Sequence, residues 1–238
     1  MKSKISIIKL IPIVGKLFRY NMRIIFANKF VYFLVAAIIF FLTTAIINLF
    51  TNPNQTEEEV YGLLLTTGIL LIFYPSAFGI QNDSDSRMLE IIFGIPNYRY
   101  KVWLVRLIMI FVIVAMILLV LSFVSSFIMV RISNLDMVFQ LMFPLFFLAC
   151  LAFMFSTIIR NGNGTAVVMI IFGLLFLIFS DFLDESKWNV FLNPYLSTDM
   201  NETIWRDVCI KNRLYLLAGG IITILYGLFN LQHREKFV

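Results

Sequence analysis

Residue types able to do chemistry are sparse in this chain, and their spacing argues mostly against catalysis. Histidine occurs once, at His233. A single histidine excludes the two-histidine HExxH metal site and leaves no basis for a His-centred proton relay. The two cysteines fall in different settings, Cys150 in an apolar run and Cys209 in a polar loop, so no bridge between them is expected. No His/Cys/Asp cluster has metal-ligand spacing, and neither a GxSxG elbow nor a GxxxxGK[ST] phosphate loop occurs. Any ATP-driven work would draw its energy from another polypeptide.

One stretch stands apart. Asp83 to Trp103 reads DSDSRMLEIIFGIPNYRYKVW and holds three acids and three bases in a chain that is only 14% charged. Leu89, Ile92 and Phe93 follow i, i+3, i+4 spacing, as do Met88, Ile91 and Ile92. Asp83, Ser84 or Asp85 is placed to cap a short helix over 84–95, and Gly94-Ile95-Pro96 stops it. Such a helix is apolar on one side, with Arg87 and Glu90 on the other. It suits insertion into a groove on a partner, or, equally on these grounds, lying on a lipid surface to tie two spans together.

The elements that must position this link are membrane spans. Hydrophobic residues make up 61% of the chain and mean hydropathy is +0.91, well above the roughly 45–50% apolar usage of soluble domains. A hydrocarbon layer about 30 Å thick takes about 20 apolar residues in a helix. Six continuous runs qualify: 30–50, 60–80, 102–130, 135–158, 164–183 and 213–231. The last is weakened by Gly219, Gly220 and Gly227. The runs do not alternate, which favours helices over barrel strands. The expected fold is an all-α, six-span membrane domain over 30–238, preceded by a segment over 1–29.

Lys and Arg set the expected orientation. With the N-terminus inside, fourteen of the 19 fall on the inner side, including Lys2, Lys4, Lys9, Lys16, Arg19, Arg23, Lys29, Arg87, Arg99, Lys101 and Arg106. Five fall outside: Arg131, Lys187, Arg206, Lys211 and Arg213. The bias places both termini in the cytoplasm of a bacterial cell (inner) membrane. The net charge of +5 then answers to anionic lipid rather than nucleic acid. Arg106, near the start of the third run, is expected to snorkel to the interface.

Within residues 1–29, Lys2, Lys9, Lys16 and Arg23 recur every seven residues amid Ile, Leu, Phe and Met, and Arg19 adds to the base content. This pattern describes an amphipathic helix lying in the inner interface; a plain basic flank is the simpler account. The longest outer loop, between runs five and six, is unusually aromatic. Trp188, Phe191 and Leu192 have helical spacing, as do Trp205, Val208 and Cys209, and Asn193-Pro194 interrupts them. Two short outer helices are expected, with Tyr195 beside the turn; interface anchoring by Trp and Tyr is the alternative.

Inside the spans no charge sits at a run's centre, which argues against ion-coupled carriers. Thr67, Tyr74 and Phe78 share a face of the second run, and Thr44 and Asn48 share one of the first. These are candidates for a substrate path, although bonds to neighbouring helices would equally explain the polar ones. Pro75 and Pro144 mark candidate kinks.

The link resembles the signature of type-2 ABC transporter permeases. There an acid and Arg precede a short Leu-Glu-Leu-Leu helix, a small residue, Pro, and a basic stretch opening the third span. The matching positions are Asp85, Arg87, Leu89, Glu90, Ile91, Ile92, Gly94 and Pro96, then Arg99 and Lys101. The layout of interfacial helix, six spans and outer helices is similar across the chain, and Phe191-Leu192-Asn193-Pro194 resembles a Leu-Asn-Pro run found in that family. The resemblance implies a permease subunit of an ATP-driven exporter that pairs with a second copy of itself or a homologous permease. Each permease would dock on a separate ATP-binding cassette subunit, which alone binds ATP and Mg. It implies contact with that subunit through Asp85, Arg87, Met88, Leu89, Glu90, Ile92, Phe93 and Pro96. It also implies a probably hydrophobic or amphipathic cargo, and no catalytic residue or cofactor in this chain. A non-transporting assembly, immunity or scaffold protein using the same helix is the rival reading.

Overall fold

The computed structural model describes residues 30–52, 54–85 and 99–232. All regular structure among them is helical. The elements are α1 (Phe30–Thr51), α2 (Glu57–Ala77), α3 (Gly79–Asp85), a π-helical turn (Arg99–Leu104), α4 (Val105–Ile128), α5 (Asn134–Ile159), α6 (Gly162–Phe182) and α7 (Glu202–Asn230). Six helices are long and apolar enough to cross a membrane, the second formed by α2 and α3 together over Glu57–Asp85. The segment 1–29, with Lys9, Lys16, Arg19 and Arg23, and most of the link lie outside the described residues.

Each span begins where local chemistry can satisfy the free amides of a first turn. Thr56 precedes α2 and its hydroxyl accepts from Glu59 N, while Glu57, Glu58 and Glu59 place acids at the positive end of the helix dipole. Asn161 accepts from Asn163 N and Gly164 N to start α6 only two residues after α5 ends. That tight connection requires Arg160 to take the left-handed conformation, with φ of 60°. Asn201 caps α7 by accepting from Thr203 N.

The helices alternate in direction. One end, the long-loop end, gathers residues 52–56, 129–133 and 183–201. The other, the link end, gathers residues 78–85, 99–104 and 160–161. α5 stands in the middle and packs on α2, α4, α6 and α7. Burial reflects this: 67% of the apolar window of the second span is buried, against 11% for α6. α6 is therefore a peripheral helix, with Val167, Ile170, Ile171, Leu174 and Ile178 exposed along it.

The glycines of the last span, which weaken its hydropathy, explain its packing. Gly219, Gly220 and Gly227 face the rings of Phe147, Phe146 and Phe153 of α5, and a Cβ on Gly227 would stand 2.9 Å from the Phe153 ring. Small residues here let two helices approach closely where lipid offers no hydrophobic drive for association.

Three expectations need correction. The outer loop does not form two short helices. Residues 183–200 are a succession of turns and bends, and the Trp205–Cys209 stretch is the first part of α7, which continues unbroken to Asn230. Asn side chains divert the first piece from helix: Asn189 Oδ1 accepts from Phe191 N and Asn193 Oδ1 accepts from Tyr195 N, local bonds that compete with a helical ladder. Second, Asp83, Ser84 and Asp85 do not precede a new helix; they are the last residues of α3. Third, Arg106 does not snorkel. It is 7% exposed and held inside by Asp83, because a bidentate carboxylate satisfies a guanidinium without carrying it to the interface.

Candidate functional site

Two polar constructions and one cavity stand out, and each is assembled from separate spans. At the link end, Arg106 Nη1 donates to Asp83 Oδ2 at 2.7 Å and Nη2 to Oδ1 at 3.1 Å. The guanidinium also lies 4.8 Å from the centroid of the Trp103 ring, a cation–π arrangement. Ile80, Leu107 and Phe153 are buried in the same cluster as Trp103. The pair thus joins α3, which extends the second span, to the start of the third. Nearby, Gln81 accepts from Gly162 N, and Ser156 donates to Ala77 O, so α5 and α6 are tied to the same corner.

At the long-loop end Arg213 is 6% exposed. Its Nε donates to Gln140 Oε1 at 3.0 Å, Nη1 to Asn212 Oδ1 at 2.9 Å, and Nη2 to Tyr61 Oη at 3.2 Å and Leu192 O at 3.3 Å. The Phe143 ring lies 6.0 Å from the guanidinium carbon. Among the described residues the ion pairs are Asp83–Arg106 and Lys211–Asp207, so Arg213 is met by neutral acceptors alone. Asn212 Nδ2 extends the network to Lys187 O and Asn189 O. One cation therefore pins α2, α5, α7 and the turns of 187–193 together.

Between α2, α5 and α6 lies a cavity of about 720 Å³, within the range of about 300–1,000 Å³ common for small-molecule sites. Phe33, Ile72 and Phe73 border it toward the link end, and Tyr61, Phe191 and Asn193 toward the long-loop end. Gly62, Gly173, Ala149 and Ala152 keep it open along its sides.

The residues singled out in the sequence fall in several places. Thr67 is buried and donates to Leu63 O of its own helix. Tyr74 is stacked between Phe33 at 4.5 Å and Phe78 at 5.2 Å, and its hydroxyl accepts from Asn82 Nδ2. Thr44 and Asn48 are half-buried on α1. None of these five lines the cavity; the α2 face that does carries Gly62, Thr66, Ile69 and Phe73. In the outer turns, Trp188 stacks on Tyr215 at 4.6 Å with Lys187 over both rings. Phe191 borders the cavity, and Pro194 O accepts from Trp205 Nε1 at 3.1 Å. Tyr195 donates to Asp136 Oδ2 at 2.8 Å. Of the partner-contact residues, Asp85 closes α3, while Arg87, Met88, Leu89, Glu90, Ile92, Phe93 and Pro96 lie outside the described residues.

The Arg213 network went unread in the sequence because Asn212 and Arg213 pass there for loop residues. A signal existed: stepping back by four from Ile224, Gly220 and Leu216 reaches Asn212, all buried on one stripe of α7. Comparison with protein-family models, curated proteins and solved structures gave no match.

Proposed function

We propose that this chain is the transmembrane permease subunit of an ATP-driven exporter of the type-2 ABC class. In this reading both termini face the cytoplasm, and the chain pairs with a second permease. The observation that carries it is the Asp83–Arg106 clip at the two ends of the link whose sequence resembles a coupling helix. A partner ATPase that pushed on residues 84–95 would meet no loose tether. The link leaves from α3, continuous in direction with the second span, and returns through the π-helical turn that runs into α4. A buried bidentate pair makes those two exits one body, because separating them would strand a charge in an apolar setting.

A push at the link then moves the second and third spans together. α2 carries the displacement to Tyr61 at the far end, where Arg213 links it to α7 and to the outer turns. The cavity lies between these two fastenings, bounded by the most weakly packed span, α6. Its apolar lining suits a hydrophobic or amphipathic cargo.

The test is co-purification of the full chain with a soluble ATP-binding subunit encoded beside it. Glu90→Lys and Phe93→Asp should abolish the association while the spans stay folded. Normal association of both variants would remove the coupling role from this segment. Association without any stimulation of ATP turnover by hydrophobic compounds would instead favour an assembly or scaffold protein.

A further inference from the structure

The described glycines fall into two kinds. Gly68, Gly162, Gly219, Gly220 and Gly227 are hemmed in by neighbouring side chains, such as Leu145 beside Gly68, so their lack of a side chain is explained by packing. Gly62 and Gly173 are different. A Cβ built on either meets nothing within 4 Å. Glycine inside a helix weakens it through backbone entropy, and here no close neighbour accounts for that cost. Both line the same cavity, Gly62 from α2 and Gly173 from α6. They open bays in facing walls of one space.

The polarity of that space is one-sided. Tyr61 and Asn193 stand at the long-loop end, and the Thr66 hydroxyl is occupied by Gly62 O. From Ile69 to Phe73 on α2, across Leu148, Ala149 and Ala152 on α5, and along Met169 to Leu177 on α6, every lining side chain is apolar. The α2 wall from Tyr61 to Phe73 spans about 18 Å at the rise of a helix, close to the roughly 15 Å depth of one leaflet's hydrocarbon. A compact hydrophobic molecule would leave the length unfilled. An extended alkyl chain with its polar head at Tyr61 and Asn193 matches both the depth and the polarity.

We infer that this cavity holds the single alkyl chain of a bilayer amphiphile, with the Gly62 and Gly173 bays as the points where the chain lies against backbone. As a cargo site it rests on the permease reading above; as a binding site it stands apart from it.

The probe is palmitic acid carrying a diazirine on its chain, photolysed in phosphatidylcholine vesicles that hold the full protein, followed by peptide mapping. Labels should concentrate on 61–73 and 169–177, above the level at Val120 and Phe127 of α4, which are exposed on the outside of the bundle. Gly62→Leu/Gly173→Leu should cut cavity labelling roughly tenfold by placing apolar carbons where the chain would lie. Its unfolding temperature should be unchanged or raised, since the new side chains enter open space. Gly173→Leu alone, expected to give a smaller cut, serves if the double variant folds poorly. Labelling no denser than on α4, or undiminished in the folded variants, overturns the inference. So does a wild-type dimer that the substitutions dissociate, which would assign the bays to a second copy. Cavity labelling in a chain that never associates with an ATPase would sink the permease reading alone. Association without cavity labelling would sink the present inference alone.

Discussion

Two buried arginines, one near each end of the bundle, are neutralised in opposite ways. Arg106 meets a single carboxylate in bidentate geometry and needs little else. Arg213 meets no carboxylate among the described residues and spreads its donors over two side-chain amides, a phenol and a backbone carbonyl. The first arrangement is a two-member clip between consecutive spans. The second is a hub, because neutral acceptors are individually weak and must be gathered from several elements to hold a cation away from water. The difference teaches where each end can yield. A clip fails all at once when one member is lost, whereas a hub loses its strength in steps.

The largest effect should come from Asp83→Ala, which leaves Arg106 buried without its partner. Such broken pairs cost about 3–5 kcal/mol, readable by thermal unfolding of the purified protein in detergent. Asp83→Leu/Arg106→Met should recover most of that loss, since the desolvated charge is gone with its partner. A double variant as unstable as the single one would show that the pair matters through shape rather than charge.

Arg213→Met should cost less, about 2 kcal/mol, the sum of several interhelical bonds worth about 0.6 kcal/mol each. Arg213→Lys should behave almost as badly, because an ammonium lacks the planar fork that reaches Gln140, Asn212 and Tyr61 at once. Full rescue by Lys would reduce the hub to a point charge and erase the contrast with Arg106.

A smaller effect belongs to Tyr195 in the outer turns. Burial first, and then its bond to Asp136 and the nearby negative charge, push its hydroxyl above the ordinary 10.0. The fold therefore favours the neutral phenol. Its contribution is complete below pH 10 and is lost as pH rises above that value. Tyr195→Phe should flatten part of the alkaline decline in stability while leaving the neutral-pH unfolding temperature nearly unchanged. An identical alkaline slope in the variant would count against the Asp136 bond. Least of all, Lys211→Ala should produce no measurable change, since the Lys211–Asp207 pair is solvent-exposed on one turn of α7.

Much of the bundle was legible in advance because hydropathy is summed along the chain. The run expected over 135–158 became α5 at Asn134–Ile159, and that over 30–50 became α1 at Phe30–Thr51. Misreadings cluster where local periodicity is ambiguous. Trp205, Val208 and Cys209 have helical spacing and are indeed helical, but nothing in that spacing says the helix belongs to the last span. Trp188, Phe191 and Leu192 have the same spacing and form turns, because Asn189 and Asn193 bond to their own backbone neighbours. Thr67, Tyr74 and Phe78 were grouped correctly on one face of α2, yet which neighbour that face meets was not readable. It meets α1 through Phe33, and the cavity opens on another face of the same helix.

Residue order alone was enough for the number of crossings, their approximate limits, and the lack of any phosphate-binding loop, since each depends on near neighbours. Pairings such as Tyr61 with Arg213, or Asp83 with Arg106, join residues far apart in the chain, and no local rule selects them. The same holds for the two vacant glycine bays. Whether a missing side chain permits close packing or leaves room depends on what another helix brings to that spot, so only the assembled bundle could tell Gly173 from Gly220.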